Sequence, residues 1–201
     1  MSIATAPTRA RLLAAAREVI EEGGYSAASV LAVAERAGVA SGTLYRHFAS
    51  KEELFVELFR DVCGGEERAM VAAWEAGEGA PAVRRLQVVL AAFARRALRN
   101  PRLAWALLAE PVDPLVDAER LAYRARYTAL VATAVQAAVD AGEIPAQDVS
   151  FTAAAVVGGC GEALVGPLSP VSARARPSGR RVIAALEAFV GRAVGAPDDH
   201  D

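Results

Sequence analysis

The stretch GVASGTLYRHFASKEEL, residues 38–54, carries the only lysine of the chain, Lys51, and the one histidine, His47, that lies outside the C-terminal PDDHD tail. Elsewhere all side-chain positive charge comes from arginine. Outward from this stretch, Gly38 separates two short runs with helical spacing. Ala34 is small where two helices would cross, Val39 can plug the turn behind Gly38, and Leu44 points back from the second helix. Those residues at those intervals have the spacing of a helix-turn-helix. On the helix after the turn, Leu44 and Phe48 are four apart and share an inward face. Gly42, Thr43, Tyr45, Arg46 and His47 are left on outward faces.

The remainder of the chain is helical by pattern. Ala, Leu, Arg and Glu dominate, apolar residues recur every three or four positions, and no stretch alternates like a half-buried strand. The fold class is therefore all-α, with about nine helices. Thr8 can cap a first helix that ends at Gly23 and Gly24, Ser29 a second that runs to Ala37, and a third covers about residues 41–48. Ser50 and Glu53 form a capping box that opens a fourth helix, which either continues toward Trp74 or breaks at Gly64 and Gly65. Residues 75–82 read as a linker, and further helices are predicted at about 81–99, 102–110, 113–141, 148–165 and 178–194. The Pro/Ser/Arg segment 169–179 reads as a mobile loop and the tail 197–201 as disordered. This gives a helix-turn-helix domain at 1–50 and a helical domain at 51–201, linked by the helix that starts at 51.

Composition narrows the function. At 201 residues, 54% of them hydrophobic, the chain can bury a substantial core, and a net charge of −2 gives no global pull toward nucleic acid. Residues 1–61 hold seven Arg or Lys against eight Asp or Glu, so any nucleic-acid contact must rest on a local patch. Cys63 and Cys160 are far apart, with no C-x-x-C spacing and no histidine cluster, so no metal or cofactor is expected and a reducing cytoplasm is the natural setting. The N-terminus lacks the apolar core of a signal peptide, and charges break the Ala-rich runs, so no membrane association is expected.

The outward face of the third helix suits a DNA duplex. Arg46 can donate two hydrogen bonds to guanine O6 and N7, Thr43 offers a hydroxyl and a methyl group to base edges, and Gly42 allows close backbone approach. Tyr45, His47 and Lys51 have the chemistry of phosphate ligands, Lys51 at a helix start where free amides already favour an anion. The competing readings are a merely solvated surface and His47 as a catalytic base. No Ser, Cys or carboxylate forms a nucleophile motif with His47, so no catalytic residue is assigned.

Here the chain resembles the TetR family of bacterial transcriptional regulators. The resemblance runs from Thr8 to Phe59, through G-G-Y (Gly23 to Tyr25), S-V-x-x-V-A-x-x-A-G-V (Ser29 to Val39), S-G-T-L-Y-R-H-F and S-K-E-E-L. It implies a homodimer on a palindromic operator, usually a repressor, with a C-terminal domain that binds a small effector. By position, Ser41, Gly42, Thr43 and Arg46 fall at base contacts, and Ser29, Tyr45, His47 and Lys51 at phosphates. Leu31 and Ala40 stand where some members use polar base-reading residues, which shifts the expected specificity toward Arg46 and Thr43.

The same resemblance implies dimerisation through the last two helices. The candidate residues are Ala154, Gly158, Gly161 and Val165 on one and Val182, Leu186, Phe189 and Val190 on the other, although both sets could instead bury within one protomer. Candidate effector-pocket residues are Phe93, Trp105, Leu108, Tyr123, Tyr127, Phe151, Cys160 and Glu162, a set that suits a moderately apolar small molecule. Glu162 interrupts an apolar helix and is expected to need an arginine partner, a solvent channel or a cationic ligand. The alternative function is a helical small-molecule receptor that acts through protein partners without DNA. An all-α enzyme using Cys160, Glu162 or His47 is the weaker one.

Overall fold

A computed structural model describes residues 7–171 and 177–197, so residues 172–176 of the predicted loop and residues 198–201 of the tail lie outside the described residues. Among those described, the chain forms nine α-helices and one 3₁₀ turn: α1 (Thr8–Gly23), the turn Tyr25–Ala27, α2 (Val30–Ala37), α3 (Ser41–His47), α4 (Lys51–Glu75), α5 (Ala82–Arg99), α6 (Pro101–Leu108), α7 (Pro114–Asp140), α8 (Val149–Leu168) and α9 (Gly179–Ala193). The all-α class is as the pattern requires. The described residues form two compact units, one within residues 1–62 and 102–120, the other within 63–101 and 121–201.

In the first unit, α1 packs on α2 and α2 on α3. Leu12, Ala16 and Ile20 of α1, Val33 and Ala34 of α2, Leu44 of α3 and Phe48 are all buried. Thr8 does not cap α1. It is the first helical residue, with Pro7 at the cap position, because a ring that fixes φ and lacks an N–H suits a helix entry. Ser29 does cap α2, its Oγ accepting from the Ala32 N–H at 3.1 Å. At the start of α4 the Ser50 hydroxyl accepts from the Glu53 N–H at 3.2 Å, while the Glu53 carboxylate reaches back to the Ala49 N–H. The unit also takes in α6 and the first turns of α7. There Arg120 binds the carbonyls of Ala106, Leu107 and Glu110, so the end of α6 is closed by a side chain from α7.

In the second unit, α5 packs against α8 and α9, and α8 against α9. The free amides at the start of α5 are bound by the Glu143 carboxylate, at 2.7 Å from Ala82 N and 2.9 Å from Val83 N. Arg85 closes the end of α4 by donating twice to the Trp74 carbonyl, at 3.1 and 2.7 Å, with its guanidinium 3.8 Å from the Trp74 ring centroid. Helix α4 is continuous through Gly64 and Gly65. Helix α8 runs past Val165 to Leu168 with Pro167 in its last turn. By length and composition alone α8 could cross a membrane, which the charge pattern did not suggest. In this fold its buried residues Ala153, Val156, Cys160 and Leu164 form part of the second unit's core.

Leu44 is fully buried. Leu44→Ala is expected to lower unfolding stability by about 2–5 kcal/mol, the range for a large-to-small change in a packed core, as measured by chemical denaturation of the full chain.

Candidate nucleic-acid interface

The turn before α3 is set by Gly38, whose φ of 66° and ψ of 41° lie in the left-handed region. Its N–H donates to the Glu35 carbonyl and the Val39 N–H to the Ala34 carbonyl, both at 3.0 Å. These paired bonds make a Schellman end, which turns the chain directly into the next helix. Arg11 of α1 fastens the same corner from outside, donating to the Ala37 carbonyl and, at 3.4 Å, to that of Gly38. Ala34 and Leu44 close the inside of the corner, at 1% and 0% exposure.

With Leu44 and Phe48 turned inward, α3 presents its other side chains as the spacing requires. Gly42, Tyr45, Arg46 and His47 are exposed, and Ser41 and Thr43 half-buried. Among the described residues, the side chains of Thr43, Tyr45, Arg46 and His47 enter no hydrogen bond or ion pair. A Cβ added to Gly42 would meet nothing within 4 Å, so the fold itself has no need of glycine there. Ser29 is exposed and keeps its hydroxyl proton available while its oxygen caps α2. Leu31 is 58% exposed, an apolar side chain on the surface of α2.

Lys51 is less free than the sequence suggested. It is half-buried, and its ammonium lies 5.5 Å from the ring centroids of both Tyr25 and Phe55, which are themselves 4.9 Å apart. Burial pushes the Tyr25 phenol above its ordinary pKa. Beside Lys51, hydrogen bonds from its own backbone amide and then from the Ser50 hydroxyl hold the Glu52 carboxyl below its ordinary value, so the first turn of α4 keeps its acid ionised. Sequence reasoning missed Tyr25, Arg11 and the partners of Tyr25 on the segment after α6. The G-G-Y motif marks Tyr25, but nothing local marks Glu110, 85 positions away, as its neighbour.

The proposed pocket residues divide. In the second unit, Phe93 and Tyr127 have ring centroids 5.9 Å apart and Tyr123 and Tyr127 6.1 Å apart, and the Tyr127 hydroxyl donates to the Cys63 carbonyl at 3.0 Å. Burial pushes the Tyr127 phenol strongly up, and the Cys160 thiol to about 11, so the buried Cys160 thiol is neutral at neutral pH. Trp105 and Leu108 belong to the first unit, on α6, both half-buried. Phe151, 73% exposed, and Glu162, also exposed, face outward and do not line an interior cavity of the protomer. Of the three environments expected for Glu162, the protomer provides solvent, so neither an arginine partner nor a cationic ligand is required.

The proposed dimer residues divide as well. Val182, Leu186 and Val190 are buried within the protomer, because that stripe of α9 packs into the second unit's own core. The Phe189 ring lies against Gly159, where a Cβ would come within 2.8 Å of it. On α8, Ala154 and Gly158 are exposed and Gly161 and Val165 half-buried. Among the described residues no group of three or more His, Cys, Asp or Glu is placed to hold a metal ion.

Gly42→Ala is expected to leave stability unchanged or raise it by up to about 1 kcal/mol, since alanine is the better helix former and the site is open. With the outer face of α3 as the expected DNA surface, the added methyl group is also expected to weaken DNA binding, a divergence that paired thermal-melting and gel-shift measurements would show.

The family model for bacterial regulatory proteins of the tetR family matches residues 12–58. The chain is 32% identical over 139 residues to the HTH-type transcriptional regulator UidR of Escherichia coli K12, spanning 69% of each chain. It is 38% identical over 103 residues to the HTH-type transcriptional repressor KstR of Mycobacterium tuberculosis, covering 49% of this chain and 44% of that one. Among solved structures, the fatty acid degradation regulator FadR of Bacillus halodurans superposes with a TM-score of 0.78 at 19% identity, over 92% of this chain and 95% of that one. FadR of Bacillus subtilis, in complex with stearoyl-CoA, has a TM-score of 0.76 at 22% identity, over 90% and 96%. At those identities the structures establish a shared fold. With the matched helix-turn-helix and the similarity to UidR over two thirds of both chains, the chain belongs to the TetR family of bacterial regulatory proteins, transcriptional regulators that bind DNA through this motif.

Proposed function

We propose that this regulator is a cytoplasmic, homodimeric repressor that holds a palindromic operator and is released by a small, moderately apolar effector. The observation that supports it best is the donor-rich outer face of α3, whose side chains are unused by the fold. Residues 1–50 bind DNA, and residues 51–201 bind the effector and dimerise. Ser41, Gly42, Thr43 and Arg46 meet base edges, and Ser29, Tyr45, His47 and Lys51 meet phosphates. A local patch of this kind suffices although the net charge is −2.

The open small-residue face of α8 supports the dimer, and a two-fold dimer places two α3 helices on successive major-groove faces of one operator. The aromatic cluster of Phe93, Tyr123 and Tyr127 is the best-supported part of an effector site. The stearoyl-CoA held by the related fold from Bacillus subtilis makes acyl-CoA thioesters the first probes. Release requires an effector that binds the DNA-incompetent state more tightly than the competent one. A shift of α4 is the simplest carrier, since one continuous helix begins at Lys51 and passes Cys63, which binds Tyr127. The reading as a receptor without DNA binding has no observation in its favour.

Arg46→Ala is expected to cost about 1–3 kcal/mol in operator binding and to relax base preference, whereas Lys51→Ala weakens binding to all sequences and reduces the salt slope by about 1. Operator selection from random DNA followed by binding at several salt concentrations checks both, and parent-like binding by both variants would remove the assignment. Gly158→Arg is expected to leave the protomer folded, since nothing lies within 4 Å of a Cβ there, but to yield a monomer by light scattering.

A further inference from the structure

A carboxylate is buried in the unit that carries the helix-turn-helix. Glu110 is 8% exposed, and its two oxygens accept from the N–H groups of Tyr25, at 3.0 Å, and Ser26, at 3.2 Å. Arg102 donates to the Gly23 carbonyl at the end of α1. Between them Gly24, with φ 83°, is hemmed in: a Cβ there would come within 2.6 Å of the Arg102 guanidinium and 2.9 Å of the Glu110 carboxylate. The segment that starts at α6 thus grips the chain just where it leaves α1 and begins the 3₁₀ turn. Tyr25 is the first residue of that turn.

Its ring then matters for Lys51. The Tyr25 and Phe55 rings, with centroids 4.9 Å apart, lie to one side of the ammonium, each centroid 5.5 Å from it. A free lysine side chain samples many rotamers and loses that freedom on binding a phosphate, while an ammonium already held by two ring faces has less to lose. The ammonium has three N–H donors, so ring contact on one side leaves donors for a phosphate on the other.

We propose that Tyr25 and Glu110 are positioning residues for DNA binding: Glu110 fixes the turn that carries Tyr25, and the Tyr25–Phe55 pair holds the Lys51 ammonium where a phosphate is met. This rests on the reading of Lys51 as a phosphate contact. It makes residues 102–120 a determinant of DNA affinity that never touches DNA, so a change in that segment is reported at Lys51.

The test is binding of a duplex, selected by the parent protein from a random DNA pool, to the full chain across a sodium chloride series. Tyr25→Leu and Glu110→Gln are each expected to lower affinity by roughly two- to fivefold, the scale of a lost cation–ring contact. The glutamine keeps one acceptor and sets a donor against a backbone N–H. Tyr25→Phe, which keeps the ring, is expected to recover most of the loss. In a Lys51→Ala background both penalties are expected to vanish, whereas in an Arg46→Ala background they are expected to persist. A general loss of folding would not produce that difference.

Penalties that persist without Lys51, no penalty in the parent background, or tighter binding by Tyr25→Leu would each overturn the inference and leave the DNA-binding reading intact. Parent-like binding by Lys51→Ala removes the phosphate assignment and this inference together. A pool that yields no bound duplex sinks the DNA-binding reading itself.

Discussion

Helices of eight and seven residues do not hold their shape alone in water, because too few hydrogen bonds offset the cost of starting a helix. Helices α2 and α3 exist because Ala34, Leu44 and Phe48 are buried in one small core and because the Gly38 corner between them is closed by its own backbone and by Arg11. That constraint decides everything outward. Once Leu44 and Phe48 are committed to the interior, the helical repeat leaves no choice about which side chains of α3 face away.

The second recurring device is the closure of helix ends by charged groups remote in sequence. Glu143 serves α5, Arg85 serves α4, Arg120 serves α6, and Glu110 serves the turn at Tyr25. Each satisfies backbone groups that a helix cannot satisfy itself, with a hydrogen bond strengthened by charge. In a chain so rich in Ala, such bonds also fix where one helix ends relative to another. They are directional, as methyl contacts are not.

Much of this was legible in the sequence. The period of three to four residues gave the helices, and the Ala34, Gly38, Val39 and Leu44 spacing gave the reading motif, because both depend on near neighbours. The Ser50–Glu53 box was legible for the same reason. Less legible was anything decided by distant packing. Whether α4 survived Gly64 and Gly65 depended on neighbours rather than propensity, and Val182, Leu186 and Val190 carried the same apolar signal whether they faced their own core or a partner. Glu162 and Phe151 misled for a related reason: in an almost uniformly apolar helix, the period does not reveal which side is buried. Glu110 gave no signal at all, since its partners lie more than eighty residues away.

The open face of α3 has a consequence for how such a protein can change. Gly42, Thr43, Tyr45, Arg46 and His47 contribute little to holding the fold, so substitutions there spend almost none of its narrow stability margin. If that face reads DNA as proposed, a duplicated copy can change its recognition sequence while remaining folded at every step. The buried side of the same short helix has no such latitude, and a single lost methyl group there is felt at once. On the proposed base contacts, new recognition sequences are reachable by single substitutions on one side of seven residues, while the other side stays fixed by the core it fills.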